Sequence, residues 1–173
     1  MKLIVNSCDE AYDSLDVRFT KHCDNDCPFC IEKTGIRSFG QTNVDRLVRS
    51  TIKSGIKEVL ILGGEPFLYP DKLYQYVNKI RDYVDKIYIT TSLPNTFNTH
   101  TMYCDNILEL IDGLNVSIQN SSHYEWNNKA LRASSNHNRL QILQNLNKRH
   151  ADKIRTSINL VKGEVDNMGD LII

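Results

Sequence analysis

The sequence predicts an α/β protein built on a parallel sheet, most simply an open sheet or a partial (β/α) barrel. Strand-like and helix-like segments alternate from residue 15 onward, the pattern of βαβ units. The run Val59-Leu60-Ile61-Leu62 is apolar without interruption, as expected for a strand buried on both faces. Each strand-like run also ends in a polar or glycine-rich group, and in such folds active sites gather at the carboxyl ends of the strands.

The first predicted strand, Leu15 to Thr20, empties into the loop Cys23-Asp24-Asn25-Asp26-Cys27-Pro28-Phe29-Cys30. A helix follows at Val44, Leu47, Val48, Thr51 and Ile52, with Asn43 as N-cap and Gly55 as stop. The second strand, Glu58 to Leu62, runs into Gly63-Gly64-Glu65-Pro66. Pro70-Asp71 then opens a helix carrying Leu73, Val77, Ile80 and Val84. Lys86 to Thr91 is the third strand, ending in Ser92-Leu93-Pro94-Asn95, and Ile107, Leu108 and Ile111 mark the next helix. Leu114 to Gln119 is the fourth strand, and its alternation points Asn115, Ser117 and Gln119 toward the inside of a barrel. Residues 120–138, rich in Ser, Asn and charge and holding the only tryptophan, Trp126, read equally as a functional loop or a short irregular helix. Leu140, Leu143 and Leu146 form a fourth helix, and Ile154 to Val161 a fifth strand ending in Lys162-Gly163-Glu164. The last residues, Asp170-Leu171-Ile172-Ile173, read as the first turns of another helix, which predicts an incomplete chain or a partner covering that end.

The composition bounds the function. At 173 residues the chain reads as one domain with a lead-in over 1–14. With 21 basic and 21 acidic side chains, no global field draws it to nucleic acid or an anionic membrane. Aromatic residues are scattered without basic stripes, so nucleic-acid binding has little support. Leu3 to Val5 is too short for a signal-peptide core, and no run reaches transmembrane length. Five cysteines, three of them crowded into one loop, argue against a secreted disulfide framework and for a reducing, cytoplasmic setting. Cys8 and Cys104 read as ordinary small apolar side chains.

Three thiolates on one short turn are the right number to hold three corners of a cubane iron–sulfur cluster and leave the fourth iron open for chemistry. One βα unit later, Gly63 and Gly64 let the backbone approach a ligand, and the Glu65 carboxylate is placed to accept from a ligand ammonium. Two other readings stand beside this one. Cys23, Cys27, Cys30 and His22 would make a Cys3His zinc module, although structural zinc sites normally use two separated ligand pairs. A non-catalytic regulatory protein would keep the fold and the cluster. No G-x-x-x-x-G-K-[ST] or G-x-G-x-x-G run is present. The histidines at 22, 100, 123, 137 and 150 show no metal-ligand pairing, and His123 is the one expected nearest the rim. Lys21, Lys162, Tyr88 and Tyr124 are candidates for substrate contact only if they face the barrel mouth.

The C-x3-C-x2-C spacing with Phe29 before the last cysteine, followed by Gly63-Gly64-Glu65-Pro66, resembles the radical S-adenosylmethionine (radical SAM) enzymes over essentially the whole length from Leu15. The lead-in Asp13-Ser14-Leu15-Asp16-Val17-Arg18-Phe19-Thr20 resembles the branch of the molybdenum-cofactor cyclase and peptide-maturing enzymes. The resemblance implies a partial (β/α)6 barrel whose sixth strand is missing here or supplied elsewhere. It implies that Cys23, Cys27 and Cys30 ligate a [4Fe-4S] cluster, that Phe29 packs by the adenine of S-adenosylmethionine, and that Gly63, Gly64 and Glu65 meet the methionine amino group. It further implies that Ser92, and Ser117 or Gln119, reach the ribose or the carboxylate, that Arg132 pairs with that carboxylate, and that Val161 offers backbone to the adenine. The activity implied is reductive cleavage of S-adenosylmethionine to a 5′-deoxyadenosyl radical that abstracts hydrogen. The electron would come from a reductant such as flavodoxin or ferredoxin, and the substrate would be a peptide, a nucleotide or a small metabolite.

Overall fold

A computed structural model describes residues 14–30, 43–119, 124–134 and 136–157. Its elements are β1 (Ser14–Arg18), α1 (Val44–Ser54), β2 (Glu58–Leu62), α2 (Pro70–Ile80), β3 (Lys86–Thr91), α3 (Thr96–Thr99), α4 (Thr101–Leu110), β4 (Gly113–Ser117), α5 (Tyr124–Leu131), α6 (Arg139–His150) and β5 (Ile154–Ser157). The five strands lie in the order β1-β2-β3-β4-β5 and all pair in parallel. When each strand sits beside its sequence neighbour, right-handed crossovers send every connecting helix to the same face of the sheet. The arrangement is that of a partial barrel.

The register shows which face that is. Val17 aligns with Ile61, Val59 with Ile87, and Ile61 with Ile89, which aligns in turn with Leu114; all are buried in one core with Leu73, Tyr76, Val77 and Ile80 of α2. The opposite face is only half covered. Leu60 and Leu62 are of intermediate exposure, so the second strand is not buried on both faces as its apolar run predicts. A helical layer on one side only is the reason. On the open face Tyr88 lies across Gly113, where a Cβ would stand 2.7 Å from the ring, and the Arg155 guanidinium sits 5.1 Å from the ring centroid. Tyr88 therefore packs near the amino-terminal end of the sheet, away from the rim.

Local chemistry sets the boundaries. The Asn43 side chain accepts from the Arg46 N–H, and Gly55 closes α1 at φ 70°. Pro70 occupies the first turn of α2. That helix stops at Ile80, short of Val84, because Arg81 folds back to donate to Val84 O and Asp85 O and holds the chain in a 3-10 turn. The first and fourth strands end at Arg18 and Ser117, earlier than their apolar patterns predict, although Phe19 N still donates to Leu62 O (2.9 Å) and Ile118 N to Ser157 O (3.0 Å). Within residues 120–138 the chain forms α5, so the helical alternative holds for 124–131. The end of the predicted fifth strand, with Val161 and Lys162-Gly163-Glu164, lies outside the described residues, as do Cys8 and His123. Among the described residues no helix is long and apolar enough to cross a membrane.

Candidate active site

The cysteine loop leaves β1 at the carboxyl rim and is held from three sides. From β2, the Glu65 N–H donates to His22 O (2.8 Å). From β3, Ser92 Oγ accepts from the Asn25 amide (2.7 Å). From the helical side, Leu131 O accepts from Asp26 N (3.0 Å), and Ser134 N donates to Asp24 O (2.8 Å). Inside the loop, Thr20 Oγ1 accepts from His22 N, and Cys30 N closes a turn onto Cys27 O (3.2 Å) around Pro28 and Phe29. His22 shares a hydrogen bond with the Tyr69 hydroxyl (2.8 Å).

The two glycines serve this loop directly. Gly63 and Gly64 have φ of 89° and 51°, a region that favours glycine. A Cβ on Gly63 would collide with the Arg18 side chain, and one on Gly64 with the main-chain carbonyl of His22. The space left by the missing side chains is thus filled by the exit of β1.

Glu65 is 1 % exposed, and its carboxylate is saturated from within. Oε1 accepts from Phe67 N (3.1 Å) and Thr91 Oγ1 (2.8 Å), while Oε2 accepts from Ser92 N and Ser92 Oγ (both 2.7 Å). Burial pushes its pKa upward against these four bonds. The expectation that this carboxylate reaches for a ligand ammonium is corrected to that extent: the side chain points into the protein and joins the second and third strand ends.

Ser117 and Gln119 do come together, Gln119 Nε2 lying 3.3 Å from Ser117 Oγ, both half-buried. Asn127 of α5 fastens this strand end by accepting from Gln119 N (2.6 Å). Phe29 is half-buried in the cysteine turn. Arg132 is exposed and left-handed (φ 46°) just past α5.

Sequence reasoning did not single out Arg139. It is 2 % exposed and donates to Ser92 O (2.8 Å), Asn25 Oδ1 (3.1 Å) and Asn128 Oδ1. The signal for it is an arginine in the first turn of a helix, where the dipole disfavours a cation. His137 joins His22 at the rim among the described residues; its Nε2 lies 2.7 Å from Leu93 O, fixing a buried leucine in the left-handed region (φ 56°).

The donor set fits an iron–sulfur cluster. Cys23, Cys27 and Cys30 are outside any disulfide. Among the described residues no three His, Cys, Asp or Glu side chains converge as they would around one ion. Each thiolate of a cubane cluster takes a different iron, and three cysteines in one loop supply the three that such a cluster needs. Burial pushes the Cys23 thiol up to about 12, partly opposed by the Asn25 N–H, with Glu65 and Asp24 adding to the rise. Asp24 Oδ1 beside it is buried without a hydrogen-bond partner. Cys104 lies apart, on the buried face of α4, with its Sγ 3.7 Å from Thr96 O.

The sequence matches the family model of the radical SAM superfamily over residues 17–172. It is 24 % identical over 180 residues to the GTP 3′,8-cyclase of Lactiplantibacillus plantarum, covering 96 % of this chain and 51 % of that protein. It is 32 % identical over 82 residues to a probable GTP 3′,8-cyclase of Pyrococcus abyssi, covering 46 % of this chain and 26 % of that one. The chain thus spans about half, or less, of the length of these relatives. Among solved structures, Streptococcus suis SuiB bound to S-adenosylmethionine superposes with a TM-score of 0.66 at 17 % identity, covering 92 % of this chain and 36 % of SuiB. BtrN in complex with AdoMet and 2-DOIA gives 0.59 at 16 %, covering 85 % and 56 %. At these identities the two structures speak for the fold alone.

Proposed function

Because the chain belongs to the radical SAM superfamily, we propose that its sheet rim holds a [4Fe-4S] cluster and S-adenosylmethionine and generates a 5′-deoxyadenosyl radical. The observation that carries this reading is the loop itself, with three cysteines in eight residues, none in a disulfide, pinned from three sides. When bound, the cluster supplies the electron that breaks a carbon–sulfur bond of the sulfonium.

The chain's own residues do the holding. Cys23, Cys27 and Cys30 give their thiolates to the metal. The main chain of Gly63 and Gly64 receives the methionine amino group, and Phe29 packs beside the adenine, with Val161 adding backbone contacts. Ser117 and Gln119 reach the ribose or carboxylate, and Arg132 pairs with the carboxylate from the exposed edge. Ser92 and Glu65 act from beneath by fixing the loop. A low-potential donor such as flavodoxin or ferredoxin delivers the electron, in a cytoplasm that keeps the thiols reduced. The hydrogen comes from a peptide, a nucleotide or a small metabolite, with contacts from outside the five described strands.

The test is anaerobic reconstitution with iron and sulfide, then incubation with S-adenosylmethionine and dithionite. The expected products are 5′-deoxyadenosine and methionine. Stoichiometric zinc without labile sulfide would overturn the cluster. A cluster-replete chain that forms no 5′-deoxyadenosine would leave a binding protein rather than an enzyme.

A further inference from the structure

We propose that Arg139 is the positioning residue that balances the charge of the cysteine loop, its guanidinium holding Asn25 and the β3 end while stabilising the extra electron of a reduced cluster. The inference rests on the reading of the loop as a cluster site.

The guanidinium is in an unfavourable place by every local criterion. It is 2 % exposed, and it sits in the first turn of α6, where the helix dipole repels a cation. Among the described residues its hydrogen bonds go to Ser92 O, Asn25 Oδ1 and Asn128 Oδ1, all neutral acceptors. Desolvation works against its charge, and the groups favouring that charge are Asp24, Glu65, Cys27 and Cys23. Three of those four lie in the cysteine loop, and the Glu65 carboxylate is already filled with four donors. A buried charge with no counter-ion in contact is costly. A cluster held by three thiolates would be anionic and more so on reduction, so it would add to Asp24 and Glu65 the negative charge that balances the guanidinium. In that step one electron passes from an external low-potential donor to the cluster, and no bond or proton changes at Arg139. Net charge and hydrogen bonding around a cluster are the levers that set its potential.

Reconstituted wild type, Arg139→Gln and Arg139→Lys are to be compared by iron and sulfide content, circular dichroism and EPR-monitored titration with dithionite. Glutamine keeps hydrogen-bonding capacity without charge; lysine keeps charge without the fork. The expected result is that Arg139→Gln disfavours the reduced form about tenfold, about 59 mV for a one-electron couple, while Arg139→Lys stays within about twofold. A loaded Arg139→Gln cluster with the wild-type potential overturns the proposal, as does a lysine variant shifted as far as the glutamine one. If Arg139→Gln folds but does not load, loading of Arg139→Lys supports the charge role, and its failure overturns it. A wild-type chain that takes up no iron and sulfide refutes the cluster reading itself, a result distinct from any shift among the variants.

Discussion

At the amino-terminal end of the sheet, Arg81 donates to Leu110 O, Val84 O and Asp85 O and pairs with Asp112 at 2.7 Å, with its side chain a quarter exposed (25 %). At the carboxyl end, Arg139 makes a comparable number of bonds, but it is sealed from water and meets no carboxylate among the described residues. Arg81 ties loops together with a solvated ion pair, an arrangement that stability alone explains. Arg139, the saturated Glu65, the left-handed buried Leu93 and the orphaned Asp24 oxygen all lie at the other end, and each is costly in isolation. Strain and unbalanced charge are concentrated at the end where parallel barrels carry their active sites.

The sharpest way to break the contrast is to separate metal binding from folding. Cys30 is exposed, so Cys30→Ala should leave unfolding of the metal-free protein within about 0.5 kcal/mol of wild type, while iron content and 5′-deoxyadenosine fall to background. Denaturant melts alongside iron analysis check both halves. If iron uptake survived, the rim would lose its claim to be the working end.

Next in size is Gly64→Ala, which adds a Cβ against the His22 carbonyl at positive φ. About 3 kcal/mol of destabilisation is expected from a backbone collision of this kind, together with poor iron retention. Gly55→Ala, also at positive φ but with open space around it, should cost only about 1 kcal/mol and spare the cluster. Equal losses in the two variants would mean that φ alone, not loop contact, sets the requirement at position 64.

A third experiment uses pH, because the two ends carry opposite signs. Glu65 is raised above its ordinary 4.5 by burial, so the folded protein holds that proton more tightly than the unfolded chain. Its contribution to stability is present below 4.5 and is lost as pH rises through the elevated value. Glu65→Gln should remove that decline and, by placing an amide donor against four donors, cost about 2 kcal/mol near neutrality. Asp112 behaves the other way. Desolvation works upward on it but is outweighed by the bonds from Arg81 and the Ile87 N–H, so it sits below its ordinary 3.8. It contributes stability above that value and loses it as pH falls further. Asp112→Asn, at a surface pair, should cost at most about 1 kcal/mol and flatten the acid limb. Urea titrations across pH would expose either sign if it were reversed.

Much of the scaffold was legible because its signals are local. Asn43 and Gly55 bracket α1, Pro70 opens α2, and the runs at Glu58–Leu62 and Lys86–Thr91 are the strands seen. The cysteine loop and the glycine turn were legible as motifs. Their mutual contact was not, since the clash that excludes a Cβ at position 64 involves a carbonyl more than forty residues earlier. Glu65 looked like a ligand for the same reason: its partners Thr91 and Ser92 come from the next strand. Arg132 drew attention through the family resemblance, whereas Arg139, beside the N-cap Asn138 of α6, was not singled out. Only burial, a property of the folded chain, distinguishes them.

The contact between Gly64 and His22 also governs how finely the three thiols are placed. A joint made through side chains has several settings, because each rotamer hop moves the partner to a new seat. Where one main chain rests on another with nothing between them, and the Glu65 N–H is fastened to that same carbonyl, there is no such setting to change. The cysteine loop is therefore indexed to the sheet as a machined part is to its datum. Transplanting it to another scaffold would require carrying the opposing turn along with it.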